Sequence, residues 1–212
     1  IAKAMLDMCA ALDCKVLLAC SSTSAHATQD LDHLARDLRK LAMLALPLGI
    51  RIAYEGLSWG RTINEFTTAW DVVCRADCPN LGLGIDSFHI FAAKTPLDEI
   101  DYLDPSKIFL VQLADFMWQE TKTFEERMTT ARTFRVFPGE GVHSEQLVDL
   151  VLRLDRLGYR GDYSFEVFND DYVQMPLPFV AERARKSALW LAEEVLRCSV
   201  PLPNQMRLKT PG

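Results

Sequence analysis

Glu55, Asp86, Gln112 and Glu166 each close a short, strongly apolar run: IRIAYE, LGLGID, KIFLVQ and DYSFE. Three carboxylates and an amide are hard oxygen donors, and together they make a cage for a divalent cation. They stand 31, 26 and 54 residues apart, and 54 is close to twice the other gaps. A strand, a helix and two loops need roughly 30 residues. In a barrel of parallel strands every C-terminal strand end opens on one face, where active sites are built. The spacing therefore predicts that the four side chains meet. Asp86 with Ser87 also suffices to cap a following helix, the ordinary role of an acid at a strand end. Glu55 and Glu166 fit that role less well, because neither has a basic partner nearby in sequence. A carboxylate at such a position is costly unless a cation or hydrogen bonds meet it. Oxygen-only ligands suit Mg²⁺ or Mn²⁺, with Co²⁺ a further option, whereas zinc prefers His and Cys. The four histidines, His26, His33, His89 and His143, are too few and too dispersed for a multi-zinc site.

Several neighbours of these positions carry complementary chemistry. His89 follows Asp86 in IDSFH and is expected to face the mouth, where an imidazole suits proton transfer. Arg132 and Arg135 lie in RTFRVFPGEG, ahead of a Pro-Gly turn, and either offers a bidentate fork to a substrate carboxylate. Glu140, in the same turn, reads either as a solvated turn residue or as support for the site. Trp59, in EGLSWGR after Glu55, is expected to wall the pocket or to pack in the core.

The elements that must position these groups alternate between β-rich runs and helical periodicity. Six strands are expected, at 15–20, 50–55, 81–86, 107–113, 134–137 and 162–168. Their near-continuous apolar character marks strands buried on both faces, as in parallel α/β sheets. Helices are expected at 4–13, 28–48, 62–77, near 96–103, 145–157 and roughly 179–197. Gly49 and Gly158 close two of them, Ser144 caps another, and 118–132 reads as irregular. The expected fold is a (β/α)8 TIM barrel. Barrels of this kind run to about 250 residues, and two strands are wanting. The chain also lacks an initiator Met and opens inside a helical pattern. These features point to a barrel domain over 1–198 without its first two β/α units. The Pro-rich tail over 199–212 reads as a linker. An open doubly wound sheet is disfavoured, because no Gly-rich phosphate loop follows a strand.

Composition narrows the classes of function. The 212 residues make one domain at most, and 49% hydrophobic content is enough for a sizeable core. A formal charge of −6 with no basic stripe argues against nucleic acid. No run of 18 apolar residues is present, so no membrane span is expected, and the N-terminus lacks the features of a signal peptide. The six cysteines form no CxxC pair and are expected to be reduced and mostly buried, which suits the cytoplasm. Cys74 and Cys78, four apart, lack the second ligand pair that a zinc site would need.

Taken together, YEGLSWG, GIDSFH, VQLAD, RVFPGEG and YSFEVF resemble the sugar phosphate isomerase/epimerase superfamily of xylose isomerase-like TIM barrels. Within it, the resemblance is to the bacterial 3-dehydroshikimate dehydratases and runs from about Lys15 to Leu196. Many sugar isomerases of the superfamily have His at the third ligand position, so Gln112 argues for the dehydratase branch. The resemblance implies Glu55, Asp86, Gln112 and Glu166 as metal ligands and His89 as a catalytic group. It implies an Arg of RTFRVF as the carboxylate binder. The implied reaction is loss of water from 3-dehydroshikimate to give protocatechuate through a metal-stabilised enolate. Two alternatives remain open: a sugar isomerase or epimerase with the same cage, and an inactive fragment that depends on a partner. Some relatives carry a C-terminal dioxygenase-like domain, and a homo-oligomer would cover the raw sheet edges.

Overall fold

The computed structural model describes residues 1–198, so the tail expected at 199–212 lies outside the described residues. Five parallel strands form one sheet in chain order: β1 (Val16–Cys20), β2 (Arg51–Glu55), β3 (Leu81–Asp86), β4 (Ile108–Leu113) and β5 (Tyr163–Phe165). Helix α1 (Ala2–Ala11) precedes them, and between them lie α2 (Leu31–Ala45), α3 (Phe66–Ala76), α4 (Ser87–Ala93), α5 (Phe124–Thr133) and α6 (Ser144–Leu157). After β5 come α7 (Asp170–Gln174), α8 (Leu177–Leu189) and a π-helical stretch, Trp190–Val195. This is the strand-helix repeat of a partial (β/α)8 barrel.

Alternate strand residues turn to opposite sides. Ile52, Tyr54, Leu83, Ile85, Val111 and Leu113 join the core cluster with Val72 and Val73 of α3 and Leu147, Leu150 and Leu154 of α6. The other face of β2 and β3 holds Ala53, Glu55 and Gly84, and a Cβ at Gly84 would come within 2.7 Å of Leu18 and 3.7 Å of Glu55 Cβ. Gly84 thus leaves room beside the Glu55 stem. Gly49, at φ 66°, turns the chain from α2 into β2 as its left-handed geometry requires.

Several expected elements differ. The run at 134–137 is not a sixth strand. Phe134 and Val136 make only isolated antiparallel bridges, to Asn169 and Asp115, and β4 pairs directly with β5. The 54-residue gap is therefore one long β/α unit carrying two helices. The first of these, α5, fills most of the segment expected to be irregular. It is nucleated by a capping box in which Thr123 Oγ1 accepts from Glu126 N–H while the Glu126 carboxylate accepts from Thr123 N–H. The helix expected near 96–103 is displaced: α4 starts at Ser87, and Leu97–Tyr102 is 3₁₀. His143, not Ser144, occupies the N-cap position of α6. The final helix expected at roughly 179–197 is α8 continued by the π stretch, and α7 is a further short helix ahead of it. Four of the six free cysteines, Cys14, Cys20, Cys74 and Cys198, are exposed rather than buried. No described helix is long and apolar enough to cross a membrane.

Candidate active site

The strand ends converge. Cys20 pairs in register with Glu55, Asp86 pairs with Gln112, and the Glu166 N–H bonds to Leu113 O just past β5. Above them lies a cavity of about 340 Å³, lined by Cys20, Glu55, Trp59, His89, Arg132 and Glu166 among others. One ligand atom from each of Glu55, Asp86 and His89 lies within 4.8 Å of the other two.

Asp86 has two tasks. Its Oδ1 caps α4 by accepting from Phe88 N–H at 2.8 Å, so the ordinary capping role is real. Its Oδ2 faces the site, 2.6 Å from Arg135 Nη1 and 3.6 Å from His89 Nε2. Arg135 Nη1 also stands 3.1 Å from Glu166 Oε2, and its Nε donates to Ala131 O at 2.9 Å. The guanidinium lies 4.6 Å over the Phe88 ring and is 2% exposed, so it is built into the floor. That explains why 134–137 is pulled out of the sheet: its one charged side chain serves the carboxylates.

Two buried oxygens in the cluster have no hydrogen-bond partner, Glu55 Oε1 and Gln112 Oε1. The other Glu55 oxygen accepts from the Cys20 thiol at 3.2 Å. Burial, and then the nearby Asp86 charge, push the Glu55 carboxyl up to about 8. Burial and Asp86 likewise raise Glu166. Burial also works to raise Asp86, but Arg135 and His89 together hold it below the usual carboxylate range. Burial lowers His89 to about 4, so its ring is neutral near pH 7. The Cys20 residue is exposed at its rim, but its sulfur is half-buried against Glu55, and that desolvation and the Glu55 charge raise the thiol and keep it protonated as a donor.

His89 is held from behind. Ser58 N–H donates to Nδ1 at 3.1 Å, and Ser58 Oγ stands at the same distance. Arg127 of α5 fixes Ser58 by donating to its carbonyl at 3.1 Å. Trp59, expected either as wall or as core, is both: it lines the cavity, is 7% exposed, and meets His89 edge-on at 4.9 Å.

The two arginines separate. Arg135 is committed to Asp86 and Glu166. Arg132 lines the cavity from its exposed side and has no acidic partner within 4 Å among the described residues. Glu140 is not brought to the cavity. It accepts from Tyr172 Oη at 2.7 Å and pairs with Arg183 at 2.9 Å, which ties the turn to α7 and α8. Cys20 and Ser58 were missed by oxygen-donor reasoning. The signal for Cys20 was its place at the end of KVLLAC, equivalent to that of the four other strand ends.

The fold agrees with the comparisons to known proteins. Residues 1–194 match the xylose isomerase-like TIM barrel family model, and the chain belongs to that family. Among curated relatives, a 3-dehydroshikimate dehydratase from Pseudomonas aeruginosa is 39% identical over 193 residues, 91% of this chain and 30% of that protein. An inosose isomerase from Halalkalibacterium halodurans is 31% identical over 161 residues, 75% of this chain and 52% of its own length. Among solved structures, a xylose isomerase-like TIM barrel/4-hydroxyphenylpyruvate dioxygenase fusion protein superposes with a TM-score of 0.84 at 36% identity. The match covers 92% of this chain and 31% of the fusion. The chain thus spans under a third of the length of that dehydratase and about half that of the isomerase.

Proposed function

We propose that this chain carries the cation-binding floor of an active site that dehydrates 3-dehydroshikimate to protocatechuate. The reading rests on one observation above all: two unpartnered buried oxygens, Glu55 Oε1 and Gln112 Oε1, within a cluster of carboxyl groups. Once the raised Glu55 and Glu166 give up their protons, as ligation requires, Glu55, Asp86 and Glu166 would carry three negative charges and Arg135 would offset one. The remainder of two matches one divalent ion. Glu55, Asp86, Gln112 and Glu166 would hold it, and their hard oxygens suit Mg²⁺ or Mn²⁺. Such an ion, when bound, polarises a ketone oxygen and acidifies the neighbouring C–H.

The chain's own residues supply the rest. Arg132 anchors the substrate carboxylate at the rim, because Arg135 is already engaged. Leu57, Trp59 and Phe168 give the cavity apolar walls, and its volume suits one ring bearing polar groups. His89 moves the proton. With Ser58 N–H on Nδ1, the resting ring carries its proton on Nε2. Accepting a proton at Nε2 needs the other tautomer, with Nδ1–H on Ser58 Oγ, and both partners stand 3.1 Å away. Removal of the proton beside the ketone, and its return from His89 to the departing β-hydroxyl, releases water, and enolisation of the remaining dienone makes the ring aromatic. A dioxygenase-like partner domain, as in the fusion protein, belongs to the same reading.

The test is direct. The protein, supplied with Mg²⁺ or Mn²⁺ and 3-dehydroshikimate, is expected to generate the ultraviolet absorbance of protocatechuate. Absence of aromatic product would remove the lyase reading. The similarity to inosose isomerases favours a second reading, isomerisation on the same cage. Interconversion of inososes with no aromatic product would support it.

A further inference from the structure

Cys20 is a side chain at the mouth whose chemistry an oxygen cage leaves unused. It ends β1 in register with Glu55, lines the same cavity, and donates its thiol to Glu55 Oε2 at 3.2 Å. The site beside it is independently short of a ligand. Glu55 is 3% exposed and Gln112 7%, yet Oε1 of each has no partner. His89 brings a nitrogen within the 4.8 Å cluster of Glu55 and Asp86. The Cys20 sulfur stands outside that three-residue cluster but one hydrogen bond from Glu55, so the donors within reach are mixed: hard carboxylate and amide oxygens, a borderline imidazole and a soft sulfur. Soft thiolate selects thiophilic ions, while Mg²⁺ and Mn²⁺ prefer oxygen.

We propose that Cys20 is a sulfur donor of this site, taken up by thiophilic divalent ions and left idle by hard ones. The inference rests on the cation-site reading above and adds metal selectivity to it. For Cd²⁺ or Zn²⁺ the S–H bond breaks, a sulfur–metal bond forms and the proton leaves to solvent, with no change of oxidation state. For Mn²⁺ or Mg²⁺ the S–H bond stays intact and keeps its hydrogen bond to Glu55. The consequence is a site that thiophilic ions occupy more tightly than the hard ions do, so that cadmium or zinc displaces manganese.

The test compares Cys20→Ser with the parent. Serine keeps a hydrogen-bond donor toward Glu55 and removes only the sulfur. Both are made in a background with the exposed Cys14, Cys74 and Cys198 changed to serine, so that other surface thiols do not contribute. Each is titrated with Cd²⁺, reading sulfur-to-cadmium charge-transfer absorption, and with Mn²⁺ by calorimetry. The expected result is a charge-transfer band that saturates at one cadmium per chain in the parent and is absent from C20S. Cadmium affinity should fall about tenfold or more in C20S, and manganese affinity should change by less than about threefold. An equal band in both proteins, or none in either while Mn²⁺ binds, overturns the inference alone. Equal loss of Mn²⁺ and Cd²⁺ binding in C20S also overturns it, because Cys20 would then be holding Glu55 rather than selecting the ion. Failure of the parent to bind either ion overturns the cation site itself and this inference with it.

Discussion

Replacing Glu55 by glutamine should stabilise the cation-free chain at alkaline pH while removing its affinity for cations. The carboxyl rises from an ordinary 4.5 to about 8 in the folded protein, chiefly through burial and the neighbouring Asp86 charge. Because the folded value lies above the unfolded one, its contribution to stability is fully present below about 4.5 and is lost as pH rises through about 8. Across that window the unfolded chain has released a proton that the folded chain still holds, and stability falls by ~1.4 kcal/mol for every pH unit crossed. The cation-free parent should therefore lose about 3 kcal/mol between pH 5 and pH 8. Glutamine has the same shape and no charge, so Glu55→Gln should not incur that loss. For a chain of this size 1 kcal/mol moves Tm by roughly 2–4 °C, which makes the expected gain at pH 8 about 6–12 °C and leaves little difference at pH 5. Thermal melts in chelator at the two pH values measure it. The reasoning fails if Glu55→Gln melts below the parent at pH 8, or if the gap between the two is the same at both pH values. A carboxyl that weakens the fold it sits in is the mark expected of a functional site.

Other consequences follow from the same cluster. Apparent Mn²⁺ affinity should rise about tenfold per pH unit from roughly pH 5 to pH 8 and then level off, because Glu55 must shed its proton to bind; calorimetry across pH reads this directly. Glu166→Gln should abolish turnover with little change in Tm, since Glu166 is partly exposed and, in the proposed function, serves the ion rather than the core; a severe loss of Tm in chelator would contradict this. Arg135→Met should cost about 3–5 kcal/mol in a denaturant melt, because it strands a buried Asp86 carboxylate. Arg132→Met should stay within about 0.5 kcal/mol of the parent and raise KM instead, since its side chain lies exposed at the cavity rim.

What the sequence disclosed depended on the kind of signal. The apolar runs that end in Glu55, Asp86 and Gln112 are strands buried on both faces, and their period and length made them readable. Gly49 and Gly158 marked helix ends because left-handed geometry needs them there. FRVF looked like a strand for the same reason as the others, an apolar run of the right length. Its place depends instead on Arg135 reaching carboxylates 49 residues away at Asp86 and beyond β5, a contact no local pattern encodes. The helix α5 was missed although its capping box, Thr123 with Glu126, is a local signal; its polar surface carries no strong apolar stripe to draw attention to it. Cys20 carries sulfur and so stands apart from the oxygen pattern of the other strand ends, and Ser58 has no local signal because its partner His89 lies 31 residues on. Glu140 was left open between the turn and the site, because no local pattern shows that the turn aims it at Arg183 and Tyr172.

The central claim, that side chains from separate strand ends hold one divalent ion, is met most directly by anomalous diffraction from crystals soaked in Mn²⁺. A single peak is expected within coordination distance, roughly 2.0–2.3 Å, of oxygens from Glu55, Asp86, Gln112 and Glu166. A fully soaked crystal with no peak there, or with manganese only at surface carboxylates, would contradict the account.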